Sequence, residues 1–593
     1  MSIPLTPPYT PLSENPSPVF PTKTKFPSHP QFRQQNAATS LLTPPQTPET
    51  DIFGSQVQAS NRSEIEQGRK LSDNEISYYL PSRADGVNDM YVHHRLSANP
   101  SQMAPSRILH IWAYQLLLHP LLASTIQFDS YEDISFIPSK PKNLVEALSI
   151  ASERFSFLID ERDVIDTYLN GPRTLSNEKL GYLVIKSSDD TTELETKREY
   201  EIMLCATHYL GDGMALHSFM NEFYILLGNE TLSTEKLSEM IQEKLNIFGV
   251  DGQVEIPKSL EERLPLVDNG SKLASVIGKE ESIRSEKKLI GGQSFGSSKE
   301  KLPRQTIVPT ISYGKDTTKV ILGNCKKNGV TIAHAVFALC NIAWARKTQD
   351  RIDPCLIYSA LNLRPNMLPS SSSSSSKAES FFHLAVGYFN IVLPTLIPSS
   401  ISLSELFWHR ARMTKQQTIK AVKSPFVVAR SRNTSIIRKE RAVKWAKIDD
   451  EEEEKLKNNN AGLGLGLAVD LPQSEIKSQA RTATTPQVLQ LPTPETTPII
   501  QAPKERQVSQ RALMGLSMLG NLDGMYKHSE FPSIELNSLT TGSRQRNGGL
   551  LLFAYTFGGK LWVSLGYDKN GFPAGVIEGF WDEVQDLIKE VLV

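Results

Sequence analysis

A run of apolar residues that breaks on a histidine and resumes as a helical pattern constrains this chain most: "REYEIMLCATHYLGDGMALHSFMNEFYILL", residues 198–227. The first part, 198–208, has the short apolar character of a strand, and a second strand candidate, "KLGYLVIKSS" (179–188), precedes it. Leu216, Phe219, Met220, Phe223 and Leu227 then recur at helical spacing. Between them lies "LGDG", whose two glycines argue against a helix running through. His208 and Asp212 therefore do not share a helix face, as half of a zinc site would require. The spacing predicts a tight strand-to-helix loop. Glycine there can take positive φ and admit another backbone or a ligand, which places the imidazole of His208 at the rim of a cleft and turns Asp212 back into the structure. An imidazole with a pKa of about 6.5 is mostly neutral near pH 7 and can take a proton from an attacking alcohol. A hydrogen-bonded histidine at a strand end explains the same residues, and the spacing alone leaves both readings open.

The rest of the chain sets the frame. Its 593 residues suffice for two packed domains with residues to spare. Lys and Arg (64) balance Asp and Glu (65), so no global field attracts nucleic acid or an anionic membrane, and nucleic acid is not expected as a partner. Cys205, Cys325, Cys340 and Cys355 are scattered without metal-type spacing and read as reduced core thiols; no metal is expected. "MSIPLTPPYTPLSENP" lacks a cationic start and an apolar block, and no stretch of about 18 apolar residues occurs, so the expectation is a cytoplasmic monomer without a membrane span.

The order of elements predicts an α/β (α+β) chain. Residues 1–75, with "TPPYTP" and "TPPQTPET", read as a disordered Pro/Ser/Thr-rich tail whose Thr-Pro pairs are candidate sites for proline-directed kinases. A first lobe, 76–250, opens with the amphipathic "RILHIWAYQLLLHPLLAS" and contains the His208 motif. Residues 251–305 are polar and irregular, as in a crossover linker, and 306–593 form a second lobe. That lobe is expected to open with a short segment and a Gly turn before Thr331 caps a helix, and strands are expected at "CLIYSALNLRP", "GYFNIVLP", "GLLLFAYTF" and "KLWVSLGYD". The final helix carries Ile577, Phe580, Trp581, Val584, Leu587 and Ile588. Seven serines (370–376) and the stretch from about 447 to 505, which includes "DDEEEE" and "GLGLGLAVD", read as disordered insertions.

"THYLGDG" resembles the HHxxxDG signature of peptide-synthetase condensation domains and the HxxxDG of BAHD-type acyltransferases, which share the chloramphenicol-acetyltransferase-like fold. "LLLHPLLAS", "SALNLRP" and "VGYFNIVLP" are similar to further segments of that superfamily in the same order. The C-terminal "LTTGSRQRNGGLLLFAYTFGGKLWVSLGYD" resembles fungal proteins of the trichothecene 15-O-acetyltransferase type. The likeness runs from about 83 to 593. It implies two lobes with mixed sheets meeting at a central tunnel, His208 as catalytic base, and Asp212, Gly213 and Arg364 as structural support of the site. Asp212 would pair with Arg364. It also implies acyl-CoA, acetyl-CoA first, as co-substrate with no bound cofactor, and a hydroxylated small-molecule acceptor such as a sesquiterpenoid, acylated without an acyl-enzyme.

Two departures bear on this. Thr207 replaces the first histidine of the condensation form, which favours the acyl-CoA-using branches, and "LGNLDGMY" (519–526) stands where plant members carry DFGWG. Transition-state donors are thus not transferable; Thr540 or Thr541 is a candidate hydroxyl for the oxyanion. His217, His334 and His383 lie on or beside apolar segments and read as core or surface histidines. His119, before Pro120, is placed to satisfy helix-terminal carbonyls. "GLGLGL" lacks the βαβ setting of a phosphate loop, and no GxSxG elbow is present. A non-catalytic or carrier-protein-dependent condensation-like domain, and a phospho-regulated scaffold, remain as alternatives.

Overall fold

Why the motif sits at a junction is evident from β-strand pairing in the computed structural model, which describes residues 68–593 except 188–196, 252, 253, 255, 266–271, 288–292, 301, 349–352, 369–379 and 462–510. The strands are β1 (Arg69–Lys70), β2 (Met90–Ala98), β3 (Thr125–Ser130), β4 (Asp133–Ile137), β5 (Phe155–Leu158), β6 (Gly181–Ser187), β7 (Arg198–Ala206), β8 (Thr306–Ile307), β9 (Thr310–Tyr313), β10 (Cys355–Asn362), β11 (Val386–Leu393), β12 (Ala512–Asn521), β13 (Glu535–Ser543), β14 (Leu550–Phe557) and β15 (Lys560–Asp568). The helices are α1 (Asp73–Ser82), α2 (Pro105–Leu118), α3 (Pro120–Ala123), α4 (Leu144–Ser152), α5 (Val164–Asn170), α6 (Gly213–Gly228), α7 (Thr234–Asp251), α8 (Leu260–Arg263), α9 (Lys272–Lys287), α10 (Lys315–Lys327), α11 (Ile332–Lys347), α12 (Leu403–Val422), α13 (Val427–Ala461) and α14 (Val576–Val591). The fold class is the expected mixed α/β.

Two sheets carry the architecture. One has five strands in the order β13-β2-β7-β6-β5; the other runs β11-β10-β12-β14-β15-β8, with β9 also on β15. Both are mixed: β5 is parallel to β6, and β12 is parallel to both β10 and β14. Strand β13, from the stretch assigned to the second lobe, pairs with β2 over Glu535–Ser543 and so completes the first sheet. One core gathers Trp112, Phe219, Phe223 and Phe382, and the other gathers Trp344, Phe407, Phe580 and Leu587. Helix α6 buries the predicted Leu216, Phe219, Met220, Phe223 and Leu227, and α14 buries all six predicted residues from Ile577 to Ile588. Apolar residues surround α11, so it is buried on every side from Ala335 to Ala345. Its cap, Thr331, forms a capping box with His334.

Three expectations are corrected. Within 251–305 the chain forms α8 and the sixteen-residue α9. Gly278 of α9 lies so close to α13 that a Cβ would stand 2.6 Å from the Ala429 side chain; its lack of a side chain is what lets the two helices meet. The segment ahead of Thr331 is a full helix, α10. The acidic run 449–454 continues α13 through Ala461, supported by the i, i+4 pair Glu453–Lys457 at 2.7 Å and by Asp450 bonded to Arg83. The serine run, "GLGLGL" and the Thr-Pro tail before residue 68 lie outside the described residues. No single described helix is long and apolar enough to cross a membrane; α10 and α11 together meet the length, but they join at 92°.

Candidate active site

Strand β7 is paired on both sides as far as Ala206, against Met90 of β2 and Gly181 of β6. The Thr207 N–H then donates to the Leu180 carbonyl at 2.9 Å, and the Leu210 N–H returns to the Thr207 carbonyl at 3.4 Å. The chain thus leaves the sheet in a turn that carries His208, and α6 starts only at Gly213. The strand-loop-helix reading of the motif holds, but the reason for its glycines differs. Neither Gly211 nor Gly213 has positive φ. A Cβ on Gly211 would lie 3.1 Å from the Phe382 ring and 3.2 Å from the Ala215 Cβ, and one on Gly213 would lie 3.2 Å from Leu519. Close packing, not a left-handed backbone, requires these glycines.

Asp212 caps α6. Its Oδ1 accepts from the N–H groups of Met214 (3.1 Å) and Ala215 (3.2 Å), and its Oδ2 accepts from Arg364 Nη1 (2.8 Å) and the Ala385 N–H (3.0 Å). Burial alone would raise its pKa; the Arg364 guanidinium and these N–H donors overcome it and hold the carboxyl below the usual range. With four donors on two oxygens, Asp212 has no capacity left for substrate or for His208. Arg364 follows β10, Ala385 precedes β11, and Arg364 also donates to the His383 carbonyl at 3.3 Å. The carboxylate therefore ties the strand-helix loop of the first sheet to the β10–β11 connection of the second.

The His208 ring is half-buried, and its Nδ1 lies 3.1 Å from the Gly211 carbonyl. A carbonyl only accepts, so Nδ1 carries the proton and the neutral ring presents Nε2 as a lone pair. Burial lowers the imidazole pKa, with Asp212 opposing that shift and Arg438 assisting it, so the ring is neutral at pH 7. Tyr78 of α1 packs on the imidazole, with ring centroids 4.3 Å apart. The Tyr78 hydroxyl is hydrogen-bonded to that of Tyr388 on β11. Arg438 of α13 stands 4.9 Å from the Tyr78 ring centre and 4.5 Å from that of Tyr388. None of Tyr78, Tyr388 and Arg438 was marked by sequence reasoning. Each lies far from His208 in the sequence, and only the fold brings them to it.

The other candidates do not converge on His208. Thr541 donates to the Tyr91 carbonyl at 2.9 Å and Thr540 lies 3.4 Å from His93 Nδ1, both within the first sheet. Asp523 accepts from the N–H groups of Gly558 (2.6 Å) and Gly559 (3.0 Å), closing the β14–β15 turn. His217 is buried against the Tyr526 hydroxyl at 2.9 Å. His119 is corrected: its ring bonds Ser380 Oγ (3.0 Å) and Glu222 (3.1 Å) rather than helix-end carbonyls, because its side chain is buried between Phe219 and Phe382. All four cysteines are buried and free, and among the described residues no three His, Cys, Asp or Glu side chains converge as a metal site.

The sheets and this junction define a chloramphenicol-acetyltransferase-like fold. In particular, the chain is similar in structure to the trichothecene 15-O-acetyltransferase of Fusarium sporotrichioides, with a TM-score of 0.61 and 12% identity over 88% of this chain and 94% of that one. Weaker matches include polyketide synthase associated protein 5 of Mycobacterium tuberculosis (TM-score 0.48, 12% identity, 88% and 98% covered). The epimerization domain from the third module of tyrocidine synthetase B is another (TM-score 0.47, 11% identity, 89% and 99% covered). No family model and no curated protein matches the chain in sequence.

Proposed function

We propose that the protein is an acyl-CoA-dependent O-acyltransferase, with acetyl the expected group, acting on a hydroxylated small molecule of the secondary-metabolite kind such as a sesquiterpenoid. The observation that carries this reading is the bond from His208 Nδ1 to the Gly211 carbonyl, which leaves Nε2 free to act as a base. The acceptor oxygen attacks the thioester carbon as its proton passes to Nε2. The tetrahedral intermediate then collapses, the C–S bond breaks, and the thiolate recovers that proton from the imidazolium, giving ester and free CoA thiol with no acyl-enzyme. Asp212 takes no part in proton transfer; it and Arg364 hold the loop. The name of the trichothecene acetyltransferase supports the chemistry by analogy of fold. The carrier-dependent alternative is less favoured, because Thr207, at the position of the first condensation histidine, is wholly buried.

The test is release of CoA thiol from acetyl-CoA with a panel of hydroxylated sesquiterpenoids, comparing the native protein with His208→Gln. Loss of about 10²- to 10⁴-fold in turnover with an unchanged thermal midpoint is expected. Equal turnover by both proteins would remove the base from the mechanism, and turnover only with acyl groups on a carrier protein would favour the condensation-like alternative.

A further inference from the structure

The guanidinium beyond Tyr78 has a setting that structural duty does not exhaust. Arg438 is half-buried, lies against the rings of Tyr78 and Tyr388, and donates from Nε to Ser77 Oγ at 3.4 Å. Two acids of the surrounding elements are engaged elsewhere: Asp73 of α1 with Lys439 at 2.9 Å, and Asp212 with Arg364 at 2.8 Å. No ion pair to Arg438 occurs among the described residues. Arg441, three residues on, shares its face of α13 and is exposed. Exposed Arg546, in the β13–β14 connection, is near enough for its charge to act on both Arg441 and Tyr358. Three guanidinia thus run from the surface to within one tyrosine ring of His208. Cation–π contacts account for holding one of them in place, but like charges with no ion pair to an acid among the described residues focus a positive potential that an arriving anion neutralises.

We propose that Arg438 receives an anionic group, a carboxylate in the first instance, on the acceptor whose hydroxyl reaches His208, and that Arg441 and Arg546 steer that acceptor inward. This rests on the acyl-transfer reading for the identity of its ligand as an acceptor. The phosphates of CoA are poor candidates for Arg438, because the pantetheine arm separates them from a thioester at His208. Guanidinium binds a carboxylate through paired N–H donors, which a neutral alcohol cannot match.

Titration of the full chain, labelled with 13C at histidine Cε1, tests this without turnover. His208→Gln identifies the His208 signal, and the probes are benzoate, benzyl alcohol and adenosine 3′,5′-bisphosphate. Benzoate should shift the His208 signal saturably and benzyl alcohol should not. Arg438→Gln should weaken the benzoate effect about tenfold, the equivalent of one charge-assisted hydrogen bond, and Arg438→Lys should retain part of it. If Arg438→Gln fails to fold, the lysine variant and the benzoate against benzyl alcohol contrast decide. Equal responses to those two probes, an affinity indifferent to Arg438, or displacement of benzoate by the bisphosphate would overturn the proposal. Because CoA release with His208→Gln tests acyl transfer separately, either reading can fail alone.

Discussion

Replacing Asp212 by asparagine exchanges one oxygen for an NH₂ group where four donors converge on two oxygens. If the amide nitrogen takes the Oδ2 position it faces Arg364 and the Ala385 N–H; if it takes the Oδ1 position it faces the Met214 and Ala215 N–H groups. Either orientation sets donor against donor and removes the counter-charge of Arg364. Breaking a buried pair costs about 3–5 kcal/mol. The carboxylate is 4% exposed but the guanidinium 22%, so the lower end applies, about 3 kcal/mol for Asp212→Asn. Asp212→Ala also removes the helix cap, about 1 kcal/mol more, for a total near ~4 kcal/mol. Arg364→Met should cost less than either, since the carboxylate keeps three backbone N–H donors. Urea unfolding of the unliganded chain, with the β7–α6 and β10–β11 segments followed by hydrogen exchange, measures both the size and the order. An Asp212→Asn variant within about 1 kcal/mol of the native protein, or an Arg364→Met variant less stable than it, would refute the reasoning.

Gly211→Ala must displace the Phe382 ring or the start of α6, and should destabilise by about 1–3 kcal/mol in the same urea assay; a neutral result would mean that the loop is not close-packed. Burial pushes His217 and His383 down to about 3, whereas unfolded histidine titrates near 6.5. The unfolded chain therefore binds more protons between those limits, and stability falls as the pH drops below about 6.5, by roughly 1.4 kcal/mol per pH unit for each histidine. His217→Gln should reduce that slope between pH 6 and 5 by about one histidine's share, and an unchanged slope would contradict its burial as a neutral ring. Because burial also lowers the His208 pKa, the acid limb of kcat/KM should lie below about pH 6.5; a limb above that value would show the imidazole to be stabilised as its cation.

Local chemistry made the motif legible. A strand, a glycine-flanked aspartate and a 3.6-residue apolar period identify the β7–α6 junction because each depends on neighbours a few residues away. The pairing of Asp212 with Arg364, 152 residues apart, came from family resemblance and from no spacing rule. Tyr78 and Tyr388, separated by 310 residues, carry no local sign that they meet over His208. The end of helix α13 escaped the sequence for a related reason: an acidic run suggests solvated chain, yet Glu453 and Lys457 pair at helical i, i+4 spacing, and Arg83 and Arg438 dock the helix through contacts made only in the folded molecule. Chain-distant contacts also set the position of the imidazole. The His208 turn belongs to the first sheet, while Arg364 and the Ala385 N–H that fix its Asp212 belong to the second, and the tyrosine against its ring is bonded to β11 of that same sheet. The reach of Nε2 toward an acceptor is accordingly a property of how the two sheets meet. Substitutions at Arg364 or Tyr388 should alter turnover even though neither residue carries a proton in the reaction.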